Sequence, residues 1–172
     1  MRPITALLLA IITLSPTTSF SQTRKRTTTK TSSRSNVAKK TAEVQLQGAT
    51  RVADQIKVLT KFIYLLGGVA KGIESVDEAV RRNQASPAIL EQTQRNKAVV
   101  RNSIQSLREA LDKLEIDFRS TPELERYYIK LAGVADGAAT AEQQAAANQF
   151  DQAGRTLLGV VNRLTDVLLL MR

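Results

Sequence analysis

Residues 150–171 read FDQAGRTLLGVVNRLTDVLLLM, with apolar side chains at Phe150, Ala153, Leu157, Val160, Leu164, Val167 and Met171. The intervals are 3, 4, 3, 4, 3 and 4 without a miss. That spacing puts every one of them on a single face of an α-helix, in the pattern of a coiled-coil-like seam. A strand would need alternation by two. The stretch therefore predicts an amphipathic helix over about 149–171 that buries one face against other helices.

The same pattern extends backwards. Leu90, Thr93, Val100, Ile104, Leu107, Leu111, Leu114 and Phe118 form a second stripe. Ser86-Pro87 opens it, with serine as N-cap and proline at the first helical position. This predicts a helix over about 87–119. Thr121-Pro122-Glu123 repeats the start signal. Leu124, Tyr128, Leu131, Ala135 and Ala138 follow it, predicting a third helix over about 122–147. Of the adjacent Tyr127 and Tyr128, one is expected in the core and one at its boundary. Further back, Ala49, Val52, Ile56, Leu59, Ile63, Leu66, Ala70, Ile73 and Val80 mark the longest stripe. It predicts a first helix over about 41–83.

Short connections make sequential helices antiparallel. The expected fold is all-α, an up-down-up-down four-helix bundle over residues 41–172. Glycine in a helix interior costs about 1 kcal/mol relative to alanine. A break at Gly67-Gly68 would give five helices instead. Unbroken, the first helix is roughly 60 Å long at 1.5 Å per residue, and the last roughly 35 Å. The first helix then overhangs its partners, and an overhanging apolar stripe calls for a second copy of the chain or another protein.

Composition supports this reading and excludes several chemistries. There are 4 prolines, 8 glycines and 4% aromatic residues, too few of each for a typical sandwich or barrel. Cysteine and histidine are absent. That removes disulfides, thiolate metal sites, the commonest general base and the usual di-iron ligand set of helical bundles. No enzymatic activity, cofactor, metal or small-molecule substrate is expected.

The net charge of +9 is unevenly placed. Ahead of Glu43 there is no acidic residue, but there are eight basic ones: Arg2, Arg24, Lys25, Arg26, Lys30, Arg34, Lys39 and Lys40. Taking 8 from the 25 Lys and Arg leaves 17 basic against 16 acidic residues in the remainder. The bundle is nearly neutral, which argues against a specific nucleic-acid-binding domain.

The N-terminal residues predict export. Met1-Arg2 is a short positive start, and Ile4 to Leu14 is an apolar run that Ser15-Pro16 breaks. Ser19 and Ser21 flank Phe20 in the pattern of a signal-peptidase site, with cleavage between Ser21 and Gln22. The run is shorter than the roughly 20 residues a membrane span takes. Residues 1–21 thus read as a signal peptide, and the mature protein as periplasmic or secreted. Residues 22–40 are rich in Ser, Thr, Lys and Arg, with almost nothing to bury, and read as a disordered linker. Arg24, Lys25, Arg26, Lys30, Arg34, Lys39 and Lys40 within it are candidates for tethering the chain to an anionic membrane surface or polymer.

Other candidate sites weigh less. Gly67-Gly68-Val69-Ala70-Lys71-Gly72 has the glycines of a phosphate loop but lacks the Lys-Ser/Thr ending and a preceding strand. Gly67, Gly68 and Gly72 are expected instead as a hinge or a close helix crossing. Glu109, Asp112, Glu115 and Asp117 are interleaved with Arg108 and Lys113 and read as a solvated face. Arg81, Arg82, Arg95, Lys97, Arg101 and Arg108 form a basic side balanced by Glu78 and Glu91.

Overall fold

The computed structural model describes residues 29–172, with side chains from residue 36 onward. The described chain is all α and contains five helices: α1 Thr29–Arg81, α2 Pro87–Ser120, α3 Glu125–Leu131, α4 Val134–Ala146 and α5 Phe150–Leu170. The expected signal peptide, residues 1–21, and residues 22–28 of the expected linker lie outside the described residues. Residues 29–40 form the first turns of α1, so the helix starts twelve residues ahead of the expected 41.

The helices form the expected antiparallel up-down bundle. α1 packs on α5, α5 on α4, and α4 on α2, while the contact that closes the ring from α2 back to α1 is less extensive. α3 bridges α2 and α5. The antiparallel sense of α1 and α2 is fixed by contacts at both ends. Arg51 meets Asp117 at one end and Asp77 meets Lys97 at the other.

The core is built from the apolar stripes. Val52, Leu59 and Leu66 of α1, Ile104, Leu111 and Phe118 of α2, and Leu157, Leu164 and Val167 of α5 are all buried. Each such side chain contributes about 1.5–3 kcal/mol when fully removed from water. Tyr127 is the buried tyrosine and Tyr128 is half-buried.

One predicted detail holds and another changes. α1 runs unbroken through Gly67-Gly68, so the five-helix alternative does not arise there. The break falls in the expected third helix, which the structure divides into α3 and α4 at Ala132-Gly133. Gly133 has φ +89°, a left-handed conformation that costs glycine nothing. Two of the other three turns use asparagine the same way. Asn83 at φ +56° and Asn148 at φ +61° end α1 and α4. In both, the following glutamine donates its backbone N–H five residues back: Gln84 to Ala79 at 2.9 Å and Gln149 to Gln144 at 2.8 Å. These bonds satisfy last-turn carbonyls that the helices leave open. Across the first turn, the Ser86 side chain caps α2 by accepting from the Ile89 N–H at 3.4 Å, as the sequence predicts.

α1 has 53 residues and is about 80 Å long, against about 30 Å for α5. Gly48 lies against Leu124 and Met171 at the base of the bundle. Residues 36–40 beyond it are all exposed, so α1 projects as an overhanging arm.

Candidate functional site

The column Arg101, Arg108, Glu115 on α2 has a seven-residue spacing that holds all three against α4. Glu115 Oε1 accepts from the backbone N–H groups of Gly133 and Ala135, at 3.0 and 2.8 Å. A carboxylate there suits the positive end of the helix dipole. At the other end of α4, Arg101 donates to the carbonyls of Ala145 and Ala146, at 3.2 and 3.3 Å, and to Asn148 Oδ1 at 3.0 Å. Between them, Arg108 Nε donates to Glu142 at 2.7 Å and its Nη1 to Asp112 at 3.2 Å. Glu142, through that hydrogen bond and its charge, raises the Arg108 pKa further above its ordinary value. Each charge in the column therefore matches the part of α4 it faces.

The remaining charged candidates also have partners. Arg81 and Arg82 pair with Glu78, and Arg95 pairs with Glu91. Exposed pairs of this kind contribute at most about 1 kcal/mol. Lys97 is buried and holds Asp77 of α1. Asp117 holds Arg51, and Glu109 accepts from Gln105. The basic side around the first connection thus consists of helix-to-helix and within-helix pairs. Among the described residues, no three His, Cys, Asp or Glu side chains come together as a metal site.

Of the tether candidates, Arg24, Lys25 and Arg26 lie outside the described residues. Lys30 and Arg34 lie in the first turns of α1, and Lys39 and Lys40 are exposed on its overhang. No described helix is long and apolar enough to cross a membrane. The structure corrects the expected glycine crossing. A Cβ at Gly67, Gly68 or Gly72 would meet nothing within 4 Å. The close approaches lie elsewhere, at Gly48 under Leu124 and at Gly137 under Val160.

A second apolar row on α1 escaped the sequence analysis. Val58, Phe62, Leu65, Val69, Gly72 and Val76 repeat at intervals of 4, 3, 4, 3 and 4. Val58, Leu65 and Gly72 each immediately precede a core residue, so they are rotated by about 100° from the buried seam. Val58 and Leu65 are 51% and 54% exposed, while Phe62, Val69 and Val76 are half-buried. α2 carries a matching row, Gln92, Asn96, Val99, Ser103, Ser106 and Ala110, again at 4, 3, 4, 3 and 4. Val99 is 62% exposed. Neither row contains a charge. The two rows border the groove between α1 and α2. At one end the groove widens to a cavity of about 400 Å³ that brings Val69, Gly72 and Val76 together with Gln92 and Asn96. At the other end Gln55 faces Ala110. The signal for this surface was in the sequence, since the spacing is as regular as in the core. The mixture of Val, Phe, Leu and Gly beside a stronger stripe hid it.

The other depressions are shallow. One of about 650 Å³ is lined, among the described residues, by Asp151, Gln152, Arg155 and Thr156 from the first turns of α5. The chain matches no protein-family model, no curated protein and no solved structure.

Proposed function

We propose that this chain is an exported, non-enzymatic helical-bundle protein that works by protein contact in the cell envelope or outside the cell. The observation that carries the contact reading is the pair of charge-free rows along the α1–α2 groove. Phe62 and Val69 pack partly on the bundle's own core, but Val58, Leu65 and Val99 stand more than half exposed beside them, and a surface that faces only water does not ordinarily keep such a row. Export rests on the reading of residues 1–21, and the absence of histidine and cysteine from the whole chain supports a non-enzymatic role.

Photo-cross-linking in the producing cell tests the reading. A photoreactive residue at Leu65 should give discrete cross-linked protein bands. The same residue at exposed Glu74, on the opposite side of α1, should not. Equal labelling from both positions, or none from Leu65, sinks the proposal.

A second reading is favoured by Lys39 and Lys40, which stand exposed on the α1 overhang with no acidic residue ahead of Glu43. In this reading the N-terminal segment holds the protein on an anionic membrane surface or polymer. Retention on anionic liposomes should then fall with salt and disappear when residues 22–40 are deleted. Retention that survives the deletion rules the tether out.

A further inference from the structure

The row on α1 has a property that the interaction reading does not require. Turned antiparallel about residue 67, the α1 row complements itself. Val58 falls opposite Val76 of a second chain, Leu65 opposite Val69, and Phe62 opposite Gly72. The last pair sets the largest side chain of the row against a residue with no side chain. Phe62 packs partly against its own core, and the exposed side of its ring then lies over the open space at Gly72, where a Cβ would meet nothing within 4 Å. Knob-into-hole packing of this kind is what heptad spacing provides. It also accounts for an exposed mid-helix glycine, which otherwise only weakens α1.

The area is sufficient for a weak pair. Residues 58–76 span about 27 Å of helix. The two helices bordering the groove are together roughly 18 Å wide at ordinary spacing. The footprint is roughly 500 Å² per chain, so about 1,000 Å² in total, at the threshold of a specific interface. No charged residue in either row has to be desolvated.

We propose that the chain pairs with a second copy of itself, with α1 antiparallel to α1 across a two-fold axis at residue 67, each α1 row lying along the α1–α2 groove of the other. This inference rests on the protein-contact reading and names the partner.

The chain has no cysteine, so engineered cysteines report cleanly. Light scattering on the full chain should show the mass rising toward twice the monomer over micromolar concentrations. Leu65→Asp should weaken the pairing at least tenfold while leaving the helix content, read by circular dichroism, unchanged. A mixture of Val58→Cys and Val76→Cys chains should form a disulfide-linked dimer on oxidation. Neither variant should do so alone, because identical residues would lie about 27 Å apart along the axis. A strict monomer at high micromolar concentration overturns the inference, and so does cross-linking of Val58→Cys to itself. If the chain is monomeric and Leu65 still cross-links in the cell to a different protein, self-pairing is wrong and the protein-contact reading stands. If Leu65 cross-links to nothing, both are wrong.

Discussion

Lys97 donates to both carboxylate oxygens of Asp77, at 3.1 and 3.2 Å, and does so from a core position of α2. It sits between Thr93 and Val100 in the buried seam, with its side chain only 9% exposed, whereas that of Asp77 is 44% exposed. The two partners are therefore unequal. Asp77 can turn to water, but the Lys97 ammonium cannot do so without leaving the seam. Removing the acceptor should cost about 1–3 kcal/mol, the penalty of a buried donor left unpaired. Asp77→Ala should lower the melting temperature by roughly 2–4 °C for each kcal/mol lost. Lys97→Met fills the same seam position without a charge and should be neutral or slightly stabilising. Thermal unfolding of the two variants checks the asymmetry. Equal losses would mean that the ion pair itself, rather than the orphaned ammonium, carries the stability.

Glu115 holds the start of α4 from a neighbouring helix, because Gly133 at that position has no side chain to cap it. Glu115→Ala should cost about 1–2 kcal/mol, the range of a lost N-cap together with its dipole interaction. Glu115→Gln keeps an acceptor oxygen and loses the charge, so its loss should be smaller. Amide hydrogen exchange gives the local readout. The Gly133 and Ala135 amides should lose protection in the alanine variant while those at the centre of α2 keep theirs. An unchanged exchange rate at both would show that the cap does not form in solution.

The fate of Gly133 shows how much of the fold was legible. The apolar intervals of the third stripe, Leu124, Tyr128, Leu131, Ala135 and Ala138, run through Ala132-Gly133 without changing phase, so periodicity alone predicts one helix there. What divides it is non-local. Glu115 of α2 takes two N–H groups on one side of the break, and Arg163 of α5 donates to the Ala132 carbonyl at 3.1 Å on the other. Spacing within one helix carries no record of either contact. Local signals were more faithful where a residue's own conformation decides. Ser86-Pro87 started α2 as expected, and Asn148-Gln149 repeats the Asn83-Gln84 pair that ends α1. Thr121-Pro122-Glu123 did not start the next helix, since Thr121 closes α2 and α3 begins at Glu125 behind Leu124 with no side-chain cap. The candidate sites followed the same division. Arg101, Arg108 and Glu115 looked like surface charge on α2 until α4 was placed against them. The second row on α1 depends on α2 standing beside it to form a groove.

The glycines give the sharpest contrast, because the sequence offered no way to rank them. Gly137 lies where a Cβ would come within 2.7 Å of Val160 Cγ2. Valine is stiff about its first torsion, and Val160 is buried, so it cannot swing away cheaply. Gly67 lies in the middle of α1 with nothing within 4 Å of a Cβ. Helix propensity favours alanine over glycine by about 1 kcal/mol at both positions. At Gly67 nothing opposes that gain, so Gly67→Ala should raise the melting temperature by roughly 2–4 °C. At Gly137 the gain is set against overpacking, which typically costs about 1–3 kcal/mol, so Gly137→Ala should be neutral to destabilising and never as stable as Gly67→Ala. The comparison also tests the hinge. A functional bend at Gly67-Gly68 would make Gly67→Ala impair whatever activity the chain has, whereas a continuous α1 predicts a more stable protein whose self-association is unchanged.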